Sequence, residues 1–175
     1  MCIRDRTIEQ FEALAAGKSA MCYALVHALS SLAPGNERVP QLLECLSSIH
    51  IGSQYFDDIE DFQEDWEQNQ YTYARYRVGN YLGEIGLEPA HISPTAQHKF
   101  LYTSGIAEEL MERGRRHFMR SLTLAVSLGL TELTGYLRTR IMTYTQQQAR
   151  VREVVNQAYE RAGQGSSAPS LPLVA

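Results

Sequence analysis

The sequence predicts an all-α protein, a helical bundle, on three observations. Apolar residues recur at three- and four-residue spacing along most of the chain. No segment keeps the two-residue alternation of a half-buried strand, and no Asn-Gly or Asp-Gly hairpin turn occurs. The composition, 175 residues of which 44% are hydrophobic and 21% charged, is that of one globular domain.

Each element follows from local chemistry. Thr7 is placed to cap a short amphipathic helix over residues 7–16. Gly17 interrupts it, and Lys18 to Leu32 reads as a second helix. Pro34-Gly35-Asn36 is a turn. Pro40 sits in the first turn of a long helix reaching about Gln68, since a proline there loses no helical hydrogen bond. A connector at 69–74 leads to a helix over 75–86, ended by Gly86 and Pro89. Ser93 caps the next helix with Pro94 at its first position. That helix runs to about residue 128, with a break or kink expected at Ser104-Gly105. Thr131 caps a last helix ending near residue 162.

Two ends stand apart. MCIRDR, residues 1–6, has no apolar run and reads as a foreign leader rather than a secretory signal. Residues 163–175, rich in Gly, Ser and Pro, read as a disordered tail. The domain expected is therefore 7–162. Its helices would make a thin shell around any sizeable pocket, so the bundle is expected to be incomplete, with helices missing.

A net charge of −4 argues against nucleic acid as the main partner, because a phosphate backbone rewards a basic face. Cys2, Cys22 and Cys45 are odd in number and widely spaced, which fits reduced thiols and a cytoplasmic location. The longest apolar run, Leu122 to Leu130, is about half of the ~18 residues a membrane span requires, so no transmembrane segment is expected.

The chemistry concentrates in residues 43–68. On a helix, Gln54, Asp57, Asp61, Glu64 and Gln68 form one stripe, flanked by Asp58 and Asp65. Tyr55, Ile59, Phe62 and Trp66 lie opposite and are expected in the core. Between Val39 and Ala74 there are eight acidic residues and no Lys or Arg. Like charges at i,i+4 (Asp57/Asp61 and Asp61/Asp65) each destabilise a helix by ~0.2–0.5 kcal/mol. A solvated face would intersperse lysines, so a bound cation is expected to neutralise the acids. Oxygen ligands on a rigid helix suit magnesium, which takes one or two carboxylates and completes its shell with water and phosphate oxygens. The DxDxDG loop of a calcium site is absent. Magnesium holding a diphosphate is the chemical reading; a solvated acidic face that binds a partner or a divalent metal without catalysis is the alternative.

The string GSQYFDDIED at 52–61 resembles the second aspartate-rich motif of trans-prenyl diphosphate synthases, FQxxDDxxD, on Gln54, Asp57, Asp58 and Asp61. Gly17-Lys18-Ser19-Ala20 is similar to that family's Lys-Thr-Ala element. The continuation DFQED at 61–65 looks more like the DxxED of squalene and phytoene synthases. Asn69 and Gln70 depart from the Gly-Arg usual there. The resemblance, to the class I isoprenoid synthases, covers residues 10–80. It implies an isoprenoid synthase-type bundle and a prenyl diphosphate substrate ionised with Mg2+, leading to prenyl transfer, condensation or cyclisation. It implies Asp57, Asp58 and Asp61 as catalytic residues; Asp57, Asp61, Glu64 and Asp65 as metal ligands; and Lys18, Gln54 and Arg75 as substrate-binding residues. A homodimer is compatible with it. The family needs two facing acidic walls. Outside this helix no second DDxxD or DxxxD occurs. Since the motif resembles the later of the family's two, the resemblance implies that the other wall and its N-terminal helices are missing before residue 1, and a chain inactive by itself is expected.

Other residues carry weaker implications. Lys18 is otherwise an ordinary helix-start lysine. Arg75 and Arg77 are phosphate contacts or surface arginines. Arg138, Arg140 and Tyr144 lack the adjacent Arg-Tyr pair of cyclase sensors. His50 reads as a core histidine rather than a ligand.

Overall fold

The computed structural model describes residues 7–32 and 36–164, and among these every regular element is helical. The expected leader at 1–6, the turn residues Pro34 and Gly35, and residues 165–175 of the expected tail lie outside them. The helices are α1 (Ile8–Gly17), α2 (Ala20–Leu32), α3 (Val39–Glu60), α4 (Phe62–Glu67), α5 (Tyr73–Glu84), α6 (Pro94–Thr103), α7 (Ile106–Ser127) and α8 (Thr131–Gln164). No described helix is long and apolar enough to cross a membrane.

Two caps are those expected, while Thr72, inside the expected connector, caps α5, and Thr131, expected as a cap, is the first residue of α8. Thr7 and Gln10 form a reciprocal capping box on α1, and Ser93 accepts from the Ala96 amide at the start of α6. The expected break at Ser104-Gly105 separates α6 from α7, and Gly105 takes φ +82, a conformation that penalises any side chain. The long acidic helix divides at Asp61 (φ −89, ψ 7). The division is a distortion only: Asp61 N–H still reaches the Asp57 carbonyl and Asp65 N–H the Asp61 carbonyl, both at 2.8 Å. The acidic stripe therefore survives it.

The bundle is organised around α3 and α7. They meet at Gly52 and Gly114, where a Cβ on Gly52 would sit 3.0 Å from the Gly114 carbonyl oxygen and one on Gly114 2.8 Å from the Phe56 ring. The missing side chains let the backbones close. Above that contact Ser121 Oγ donates to the Cys45 carbonyl at 3.0 Å. Below it Phe56 stacks on Tyr144 of α8, with Phe118 alongside. Tyr55, Ile59 and Phe62 are buried, as their stripe predicts, and Trp66 is half-buried.

α1 crosses α3 on its other side. Phe11 packs against the Tyr55 and Tyr73 rings. Glu12 accepts from Tyr55 Oη at 2.9 Å and lies 3.2 Å from His117 Nε2 of α7. This polar junction, together with the aromatic contact, fixes α1 against α3. α2 is different: it is apolar yet buries no residue, and Met21 and Leu32 are each 85% exposed. Tyr23 and Val26 are half-buried, while Leu25 and Leu29 are exposed as well.

Candidate functional site: an acidic cleft between α1 and α3

α1 and the α3–α4 segment enclose a cleft of about 460 Å³. One wall is Phe11, Leu14, Ala15 and Lys18. The facing wall is Gln54, Asp57, Asp58, Asp61, Glu64, Asp65 and Gln68, and the connector from Gln70 to Tyr73 closes one end. All four expected metal ligands, the three expected catalytic aspartates, and two of the three expected substrate-binding residues are thus brought to one cavity. Leu43, Ser47 and His50, which continue the same three- and four-residue spacing toward the start of α3, do not line it.

The positions differ in kind. Asp57, Asp61 and Glu64 are exposed to the cleft, whereas Asp58 is 3% and Asp65 9% exposed. Asp58 is fully engaged: its Oδ2 accepts the amide protons of Tyr73 (2.8 Å) and Ala74 (3.4 Å), and its Oδ1 accepts from Gln54 Nε2 at 2.6 Å. It holds the start of α5 against α3. Lys18 Nζ donates to Gln54 Oε1 at 2.5 Å. Glu64 accepts from Gln68 Nε2, and Gln68 in turn from Gln70.

Arg75 lies off the cleft. Its guanidinium stacks 4.3 Å from the Trp66 ring centroid and donates to the carbonyls of Asp65 and Gln70. It braces the connector from behind. Asn69 has φ +52, a left-handed conformation that Asn tolerates better than most side-chain-bearing residues, so it makes the turn a glycine would make. Arg77 forms a bidentate pair with Glu109, and Arg140 sits over Tyr136 and Tyr144.

The electrostatics of the cleft are one-sided. Five carboxylates outside the cleft, Glu108, Glu109 and Glu112 of α7 with Glu12 and Glu44, meet Arg or His. Among the described residues, Asp57, Asp58, Asp61, Glu64 and Asp65 make no ion pair. Lys18 is the only Lys or Arg among the residues lining the cleft. Burial, then the neighbouring Asp61 and Glu60 charges, push the Asp57 carboxyl above its ordinary range, against the pull of Lys18 and Arg140. Burial and Asp61 raise Asp65. Burial raises Asp58 despite its three hydrogen bonds. Each effect disfavours the charged form, and a cation would reverse it.

A ready-made cation cage is not there: among the described residues no three Asp, Glu, His or Cys side chains converge into one. Side chains on successive turns of one helix start about 5.4 Å apart, so a single wall presents carboxylates in a row. The donor set is oxygen-only and under-neutralised, the kind of set that suits a hard divalent cation. Sequence reasoning missed the apolar α1 wall (Phe11, Leu14, Ala15) and the connector Gln70–Tyr73, which reach the cleft through tertiary packing alone.

The fold and the cleft together define an all-α protein with an acid-lined cavity and one lysine opposite the acids. No family model matches the chain, and neither a curated protein nor a solved structure matches it significantly.

Proposed function

We propose that the cleft is a Mg2+-dependent diphosphate-binding site, one acidic wall of a class I isoprenoid synthase acting on an allylic prenyl diphosphate. The supporting observation is that Lys18, Gln54, Asp57, Asp61, Glu64 and Asp65, drawn from separate segments, line one cavity instead of a flat hydrated face. Asp57 and Asp61, with Glu64 and Asp65 beside them, would hold the metal, which supplies neutralising charge to a diphosphate leaving group. Lys18 faces them and offers an ammonium to a phosphate oxygen. Gln54 holds Lys18 over the cavity. Phe11, Leu14 and Ala15 give the opposite wall an apolar surface that limits water. Arg75 braces the connector. Asp58 holds the wall in shape from within.

The reading requires a second acidic wall, which the sequence does not supply, so binding rather than turnover is expected of this chain. The exposed Met21, Leu25, Leu29 and Leu32 of α2 support the same view, since further helices would bury them. The competing reading, a non-catalytic bundle whose acidic face binds metal or a partner, draws on the exposure of Asp57, Asp61 and Glu64. Calorimetric titration with inorganic diphosphate, with and without Mg2+, separates them. Saturable binding only with Mg2+ supports the diphosphate site; no binding under either condition rejects it. Diphosphate release from geranyl, farnesyl or geranylgeranyl diphosphate is the corresponding assay for a protein carrying both walls.

A further inference from the structure

We propose that Asp58 is a positioning residue that dictates which end of the Gln54 amide faces the cleft, and through it where the Lys18 ammonium rests. The two ends of a glutamine amide are nearly equal in size, so only hydrogen bonding selects between them. Asp58 makes the selection. Its buried Oδ2 is taken by the Tyr73 and Ala74 amides, and its Oδ1 receives Gln54 Nε2 at 2.6 Å. An ionised carboxylate only accepts, so Gln54 turns its NH2 inward and its carbonyl oxygen outward. Lys18, which only donates, meets that oxygen at 2.5 Å. A directed chain thus runs from Lys18 through Gln54 into Asp58, and the amides at the start of α5 donate into the same carboxylate from the other side.

Exchanging Asp58 for Asn reverses the chain while keeping size and shape. The single remaining carbonyl oxygen stays with the two α5 amides. The new NH2 faces Gln54, whose amide must rotate to offer its oxygen. The Gln54 NH2 then points at the Lys18 ammonium, donor against donor, and Lys18 leaves its position. In functional terms this rests on the diphosphate reading: Asp58 acts on the ligand through two residues and touches neither metal nor phosphate.

The experiment has two arms. In NOE spectra of the 15N-labelled chain, the Gln54 Nε2 protons should lie beside the Tyr73 amide proton in the wild type and lose that contact in Asp58→Asn. Wild-type Nε2 protons beside Lys18 overturn the proposal without any variant, so a misfolded Asp58→Asn leaves it refutable. Unchanged NOEs in a folded Asp58→Asn also overturn it. In the second arm, the Kd for inorganic diphosphate with Mg2+ is measured for Asp58→Asn, Gln54→Leu and the double variant. Asp58→Asn should weaken binding about tenfold alone and less than about twofold in the Gln54→Leu background. Additive losses would mean that Asp58 serves only to anchor α5, which contradicts the proposal. If the wild type binds no diphosphate, the functional reading fails, while the NOE arm still decides the amide orientation.

Discussion

Asp61→Asn should stabilise the metal-free protein and abolish its response to Mg2+. Asp61 lies at i+4 from Asp57 and i−4 from Asp65, it makes no ion pair among the described residues, and its side chain caps nothing at the α3–α4 junction. Neutralising it removes two like-charge contacts of ~0.2–0.5 kcal/mol each, a gain of about 0.4–1 kcal/mol at low ionic strength. Asn and Asp have similar helix propensities, so the backbone cost is small. For a domain of this size the gain corresponds to a rise in Tm of about 1–4 °C. Mg2+ at ten times its Kd should stabilise the wild type by ~1.4 kcal/mol, about 3–6 °C, and the variant by much less. Thermal melts followed by circular dichroism, at low and high NaCl and with and without Mg2+, read all of this. The reasoning is refuted if Asp61→Asn lowers Tm, or if both proteins respond equally to Mg2+.

Other perturbations test separate parts of the account. Lys18→Met removes a charge-assisted donor worth ~1.5–3 kcal/mol to a phosphate, so diphosphate affinity should fall about 10- to 100-fold in calorimetry with Tm nearly unchanged. Gly52→Val forces a side chain against the Gly114 carbonyl and the Phe118 ring, and urea denaturation should show a loss of about 1–3 kcal/mol; an unchanged midpoint would contradict the close α3–α7 contact. Asp57, Asp58 and Asp65 are held above the ordinary carboxylate value of 3.8, so each binds its proton more tightly when folded. Their contribution to stability is full below that value and is lost as pH rises through the raised one. Cation binding has the opposite sign because it needs the charged form. Mg2+ affinity should therefore climb with pH over a window opening upward from 3.8, with protons released on binding, measurable by calorimetry in buffers of different ionisation enthalpy.

Helix boundaries were legible where a local device marks them: the Thr7 and Ser93 caps, Pro94, and the Ser104-Gly105 break. The division at Asp61 was not, because the i→i−4 hydrogen bonds continue across it and no residue type signals it. The acidic wall was legible from periodicity, and so was the burial of Tyr55, Ile59 and Phe62 behind it. The opposing Lys18 is 36 residues from Gln54 and was suggested by resemblance alone. Asp58 shows the limit most clearly. Periodicity puts it on the edge of the polar stripe, but the amides that engage it belong to a helix starting 15 residues later. Arg75 follows the acidic helix closely enough to suggest a phosphate contact, yet Trp66 and two carbonyls hold it behind the wall. The bareness of α2 is likewise invisible to a pattern that equates apolar with buried.

The most direct test of the cation-holding role uses Mn2+ as a paramagnetic stand-in for Mg2+ in amide NMR spectra. The account predicts selective broadening at Gln54, Asp57, Asp61 and Glu64 at low Mn2+, reversed by excess Mg2+. Broadening spread evenly over acidic residues across the surface, or none at this cleft, would contradict it.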